Sequence, residues 1–395
     1  LLKSATDAVD MARKAGAQDA WASLSRDRSV SYTYRDGKVE KVEESTSRGL
    51  GISLYVDGRY SSHSTTDLRP DRLRSFITEA VALTRALQPD PHRKIPDPSL
   101  FKDRPTTDLE RNDPAVARIT REQREAWCAE MDARAHADKR VISAESGLFS
   151  GESQGASASS NGFSGTWDGG YVGYNCSATV REGEDKRPEG SASAVGRWLA
   201  GLPEPGKIAD KALGRAIERL GSKKGPTIRA TMVVDPEAAV SLISRALGPG
   251  SAAAIQQGRS FWTGKLGQPL FGDKLTITDD PLIARGLGSR HFDGEGISAK
   301  RMPLIERGVV KNIYIDTYYG RKLGMAPTTG SASNRVVALG DKNLAELLTQ
   351  AGSGIYVTSW LGGNSDSTAR NLLNFKLCCW VNNIAAAAAP KPNAP

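Results

Sequence analysis

Cysteine is scarce in this chain: Cys128, Cys176, Cys378 and Cys379 are the four among 395 residues. No two of them form a CxxC pair, so neither a zinc ribbon nor a disulfide framework is expected, and a reducing, cytoplasmic setting is favoured. Histidine is as rare, and His63, His92, His136 and His291 never stand three to five residues apart, so no helix carries an HExxH zinc pair. Apolar runs of membrane-spanning length are missing, and the opening stretch from Leu1 reads as an amphipathic helix rather than a signal segment. Aromatic residues make up 6% of the chain, which leaves little for a base-stacking surface. Glycine-rich stretches occur, but none has the GxxxxGK[ST] spacing of a phosphate loop. Serines are abundant, yet no strand-to-helix nucleophile elbow is expected among them.

What is present is a soluble, mildly basic composition. Hydrophobic residues are 39% of the chain, and 53 Lys and Arg against 45 Asp and Glu give a net charge of +8. The cations are dispersed rather than gathered into a basic arm, which weighs against nucleic acid as the partner. The length allows two or three domains with substantial cores.

Local patterns predict an α+β protein. Leu1–Ala15 reads as a helix stopped by Gly16. "SVSYTYRDGKVEKVEES" and "GLGISLYVDGRYSSHS" alternate about Asp36-Gly37 and Asp57-Gly58, two strong hairpin signals. A helix from about Pro70 to Leu87 places Leu73, Ile77, Val81 and Thr84 on one face, so an antiparallel sheet covered by helices is expected. Five prolines in residues 88–112 predict an extended connector, after which Asp113-Pro114 is expected to open a helix reaching Ala137. The Gly- and Ser-rich stretch that follows keeps its alternation and reads as sheet, and another helix is expected from Pro205 to Leu220. Residues 1–222 are thus expected to form an N-terminal α/β domain with antiparallel hairpins and covering helices. Residues 223–395 are expected to form a C-terminal β-rich, barrel-like domain ending in an Ala/Pro tail.

Two stretches bear on chemistry. "DPEAAVSLISRALGPG" is a well-formed helix signal: Asp235 as N-cap, Pro236 at the first position, and Ala239, Val240, Ile243, Ala246 and Leu247 as an apolar stripe. Nothing on it binds metal or acts on a substrate. In "HFDGEGISAKRMPLIERGVVKN", Asp293 and Glu295 lie between glycines, which predicts a tight turn presenting carboxylates at a cleft or to solvent. A hairpin turning at Glu306-Arg307-Gly308 follows.

Several blocks in order resemble the TldD/TldE (PmbA) family, once called modulators of DNA gyrase. "KVEKVEESTSRGLGISLYVDGRYSSHSTTDL" is similar to its N-terminal double hairpin and "SSNGFSG" to its central turn. The block "DGEGISAKRMPLIERGVVKNIYIDTYYGRKLGMAPTTGSASN" resembles its acidic turn, P-x-LIE-x-G and PTG segments, and "GIYVTSWLGGNSDST" its glycine-rich C-terminal strand. In TldD-type members a helix carries HExxxH, with a cysteine further on as third zinc ligand. Laying that helix on this chain puts Ser244 and Pro249 where the histidines would stand and Arg245 where the glutamate would. Serine and proline are poor zinc ligands, and a guanidinium repels the ion.

The resemblance therefore implies a TldE/PmbA-like subunit, itself without catalytic residues or metal. Its expected partner is a TldD-like zinc metallopeptidase subunit, in a heterodimer that cleaves unfolded peptides such as modified-peptide leaders and antitoxins. Asp293, Glu295 and Arg335 are the expected residues facing partner or substrate, and no membrane association is implied. Two other readings stand beside it: a self-sufficient hydrolase with an unrecognised site, and a gyrase-linked regulatory or DNA-binding protein. After Thr368 the chain departs from the family pattern, and Cys378 and Cys379 match no family position.

Overall fold

The computed structural model describes residues 1–223, 225 and 228–360, together with the backbone of Cys379–Asn383. In chain order its regular elements are α1 (Leu2–Lys14), β1 (Asp19–Arg35), β2 (Lys38–Val56), β3 (Arg59–Thr65), α2 (Pro70–Arg85), α3 (Arg121–Ala135), β4 (Val141–Ser159), β5 (Ser164–Val180), β6 (Glu189–Gly196) and α4 (Pro205–Glu218). There follow β7 (Met232–Val234), α5 (Pro236–Leu247), α6 (Ala252–Gln256), β8 (Ile277–Asp279), β9 (Met302–Glu306), β10 (Val309–Val310), α7 (Thr317–Leu323), β11 (Arg335–Val337), α8 (Leu344–Ala351), β12 (Ile355–Trp360) and β13 (Cys379–Asn383).

The chain divides into two compact units. The first takes Leu1–Leu220 and also Asp279–Arg301 and Asp316–Arg335, two segments beyond the boundary expected at residue 222. Its frame is a six-stranded antiparallel sheet in the order β3-β2-β1-β4-β5-β6. The two expected hairpins share one strand, the 19-residue β2. Both turn on Asp-Gly pairs whose residues all have positive φ, at 48° and 87° for Asp36-Gly37 and 50° and 73° for Asp57-Gly58. Those values match the twist of the flanking strands, and glycine and aspartate reach them at the least steric cost.

Strand periodicity gives this sheet two unlike faces. One carries Ala20, Ala22 and Leu24 of β1, Leu50, Ile52 and Leu54 of β2, and Leu148, Tyr174 and Cys176 of β4 and β5, all buried. α1 and α2 pack on one half of this face, with Ala5, Ala8, Leu73, Ile77 and Val81 in the core cluster. α3 and α4 cover the other half through Cys128, Met131, Ile208 and Ala212. Each of the wholly buried Leu and Ile side chains contributes on the order of 1.5–3 kcal/mol. α3 begins later than expected: Asp113 caps only a short turn, accepting from Ala115 N at 2.9 Å. The helix starts at a full capping box in which Thr120 Oγ1 accepts from Gln123 N and Gln123 Oε1 from Thr120 N. That box satisfies two orphan donors together, which the single aspartate cannot do.

The connector 88–112 is extended apart from a 3-10 turn at Pro98–Phe101, and it is fastened within the first unit. Arg321 of α7 donates to the carbonyls of His92, Lys94 and Ile95 at 3.2, 2.7 and 2.9 Å. Tyr318 Oη donates to Asp90 at 2.8 Å.

In the second unit β10-β9-β8-β11 form a four-stranded sheet, and β13-β12-β7 form a three-stranded one in which β12 and β7 are parallel. The hairpin expected near Glu306 is present, with Arg307-Gly308 at φ 46° and 78° and Val309 opposite Glu306. The barrel-like closure expected for the C-terminal part is not found among the described residues, where short strands separated by irregular loops leave both sheets open. The Ala/Pro tail lies outside the described residues.

Candidate functional site

The helix singled out by sequence is α5, in the second unit. Asp235 caps it, accepting from Glu237 N at 2.9 Å, and the other carboxylate oxygen accepts from Tyr356 Oη at 2.8 Å. Trp360 Nε1 donates to the Ala238 carbonyl and Trp262 Nε1 to that of Ala246, at 2.8 and 3.1 Å. The expected apolar stripe is only partly covered: Leu247 is buried, Ala239, Ile243 and Ala246 are half-buried and Val240 is 64% exposed, while the buried Ala238 lies beside the stripe. Ser244 and Arg245 are half-buried on the last turn. Pro249 lies buried beyond the helix end, its carbonyl accepting from Ser260 Oγ at 2.7 Å. A hydroxyl, a guanidinium and a pyrrolidine ring, the groups that the resemblance sets against the zinc helix, form no donor set for a zinc ion. Among the described residues no three His, Cys, Asp or Glu side chains converge in a metal-holding group.

The acidic turn belongs to the first unit. Asp293 is buried, and Oδ1 accepts from Glu295 N and Ile297 N at 2.9 and 3.0 Å. Oδ2 accepts from Thr329 Oγ1 and Gly330 N, both at 2.9 Å, which ties the turn to the threonine-glycine segment. Glu295 reaches the start of α7, accepting from Thr317 N at 2.8 Å and Thr317 Oγ1 at 2.6 Å. Burial pushes the Glu295 carboxyl above its ordinary range, opposed by those two bonds and aided by the nearby Asp293 and Asp316. Both carboxylates thus accept from the chain's own donors. The physical reason is that glycine-bounded loops leave many backbone N–H groups unpaired, and buried ones need acceptors. Arg335, at the start of β11, is exposed.

Other candidates fare no better as catalysts. The thiols of Cys128 and Cys176 are buried, and desolvation pushes both up to about 12. The histidines are dispersed: His63 bonds Ser61, His136 lies beside Asp36 and Asp132, and His291 bonds the Thr107 carbonyl. A GxSxG spacing does occur at Gly151–Gly155, but it runs through the middle of β4 instead of a strand-to-helix elbow. Its Ser153 Oγ donates to Asp27 at 2.6 Å.

The face of the six-stranded sheet turned away from its helices is the feature that sequence reading missed. It is paved with small residues, and an open groove of about 660 Å³ runs over Ser23, Ser25, Gly49, Gly51, Ser64 and Trp167. Along β4 and β5 large side chains lie over cross-strand glycines: Trp167 over Gly155, Tyr171 over Gly151 and Phe149 over Gly173. A Cβ at Gly155 would fall inside the indole. The signal was in the sequence, as glycine or serine at alternate positions from Gly151 to Ser159. It reads equally well as turn and bulge glycine until the strand register is known.

This scaffold, an open-faced antiparallel sheet backed by helices and followed by a smaller unit of two short sheets, is that of a metallopeptidase family. Three family models match the chain in order: PmbA/TldA metallopeptidase domain 1 over residues 22–84, its central domain over 115–220 and its C-terminal domain over 227–383. The chain belongs to the PmbA/TldD family. It is 27% identical over 376 residues to the metalloprotease PmbA of Escherichia coli, covering 92% of this chain and 81% of that protein. It is 26% identical over 388 residues to a PmbA homologue of Haemophilus influenzae, covering 97% and 85%. Among solved structures, a candidate modulator of DNA gyrase from Bacteroides thetaiotaomicron superposes with a TM-score of 0.90 at 32% identity, covering 97% of this chain and 90% of that one. TldE of Thermococcus kodakarensis shares the fold, with a TM-score of 0.74 at 17% identity over 91% and 83% of the two chains. No helix among the described residues is long and apolar enough to cross a membrane.

Proposed function

We propose that this chain is the TldE/PmbA-like subunit of a two-subunit metallopeptidase, acting in the cytoplasm on unfolded peptides such as modified-peptide leaders and antitoxins. It lacks catalytic residues of its own, and a TldD-like partner supplies the zinc. The observation that carries the reading is α5. It is a capped, intact helix at the family's zinc-helix position, yet Ser244, Arg245 and Pro249 offer no ligand set and no general base. Membership in a family whose relatives are named metalloproteases supports the peptidase context. The open groove over Ser23, Ser25, Gly49 and Gly51 supports a role in walling a peptide path, since small residues let an extended backbone approach closely. Arg335, exposed at the start of β11, is a residue that a partner could reach.

The test is reconstitution. The purified chain alone, after dialysis, is expected to hold no stoichiometric zinc and to leave an unfolded peptide intact. With a TldD-type protein added, cleavage is expected to appear and to vanish with chelator. One zinc per chain in the isolated subunit, or cleavage by it at the rate of the mixture, would overturn the assignment.

A further inference from the structure

On the open face of the sheet, midway between Trp167 and Tyr171 of β5, lies Gly169. The space above it is filled by two arginines: a Cβ there would sit 2.8 Å from Arg197 Nη1 and 3.2 and 3.5 Å from Arg111 Nη2 and Nε. The connector delivers Arg111 to this point, because its carbonyl accepts from Gly170 N at 2.9 Å and the neighbouring Asn112 side chain donates to Asp168. The two guanidiniums are not equivalent. Arg197 spends its donors on the neutral carbonyls of Gly286, Gly170 and Leu287 at 3.3, 2.8 and 2.6 Å. Arg111 is half-buried, its Nε is shielded from solvent, and its guanidinium has no hydrogen-bond acceptor or ion-pair partner among the described residues. Burial works against its charge, and Asp168 is the carboxylate whose field opposes that cost.

A guanidinium carries five donors and stays charged, so a half-buried one beside a second cation calls for an oxyanion. We propose that Arg111, with Arg197 beside it, is a carboxylate-binding position that takes a Glu or Asp side chain of an extended peptide laid along β5; this rests on the peptide-handling reading above. Strand geometry sets the pattern recognised. Trp167 and Tyr171 stand two residues to either side of Gly169, roughly 7 Å away, which is also the spacing of same-face side chains in an extended peptide. The acidic residue is therefore flanked at two positions to each side by apolar residues that rest on the indole and phenol rings. A single-stranded nucleic acid would need a track of phosphates and bases, whereas the strip has one cationic point between two rings.

The experiment measures binding of a fluorescein-labelled nonapeptide with a central Leu-Ala-Glu-Ala-Leu to the full chain, beside its Gln counterpart and an oligothymidylate. The Glu peptide is expected to bind about tenfold or more tightly than the Gln peptide, as charge-assisted bonds require, and the difference is expected to shrink with salt. Arg111→Gln is expected to erase the difference between the two peptides, chiefly by weakening the Glu peptide, while the variant still melts cooperatively as a folded chain, because the guanidinium makes no hydrogen bond or ion pair within the described residues. Arg111→Lys is expected to restore part of it. Equal binding of the two peptides, no peptide binding, a preference that survives Arg111→Gln, or tighter Arg111-dependent binding of the oligothymidylate would each overturn the proposal. Failure of the reconstituted cleavage with the Glu preference intact would remove the peptidase reading alone.

Discussion

Replacing Asp293 by alanine withdraws one acceptor pair from four donors at once: the N–H groups of Glu295, Ile297 and Gly330 and the Thr329 hydroxyl. The bond to Ile297 is fully buried and the other three are half-buried. Counting about 2 kcal/mol for the buried donor left without a partner and about 0.5–1 kcal/mol for each that water partly serves gives a loss of about 4 kcal/mol. For a folding unit of this size that corresponds to a fall in Tm of about 8–16 °C. The assay is thermal unfolding of the purified chain followed by circular dichroism, with Asp293→Asn as companion. The amide keeps one acceptor oxygen and is expected to fall between parent and alanine variant. An alanine variant melting within about 2 °C of the parent would show that the aspartate braces nothing, and the bonding account of this block would be wrong.

Glu295 gives a test in pH. Its folded-state carboxyl lies above the ordinary 4.5, chiefly through burial, so the folded chain holds that proton more tightly than the unfolded one. Relative to Glu295→Gln, the parent is expected to be most stabilised near and below pH 4.5 and to lose that margin as pH rises through the folded value; denaturant melts that show a constant difference across this range would contradict it. Gly155→Ala places a methyl where the Trp167 ring lies, and overpacking of this kind is expected to cost about 1–3 kcal/mol and to shift tryptophan emission. Unchanged melting and emission would refute the account of Trp167 lying on that glycine.

Where structure is decided by neighbours in sequence, the residues announced it. Asp36-Gly37 and Asp57-Gly58 specify their turns by backbone sterics alone, and the face of α2 holding Leu73, Ile77 and Val81 follows from helical period. The start of α3 was misjudged because two competing caps, Asp113 and Thr120, both look competent locally. The acidic turn illustrates a different limit. Its glycines and carboxylates correctly signalled a tight, constrained loop, but the acceptor balance depends on Thr317, Thr329 and Gly330, which come close only in the folded chain. Arg111 went unnoticed for the same reason: in "DLERND" it is one charge among several in a polar connector. Its lack of a hydrogen-bonded or ion-paired partner among the described residues is a property of the β5 edge on which the connector docks.

The arrangement of the first unit has a consequence for how the chain is made. On a translating ribosome, residues up to Leu220 emerge with all six strands of the sheet and the four helices that cover it. Asp293, which fastens its own loop to Gly330, and Arg321, which fastens the connector at His92 to Ile95, are synthesised only after a stretch of the other unit has passed. The nascent N-terminal part therefore waits with those three carbonyls open to water. A gene fragment cut at the apparent domain end would keep that incomplete state for good, so expression of this unit by itself requires grafting the two later segments back onto it rather than simply shortening the reading frame.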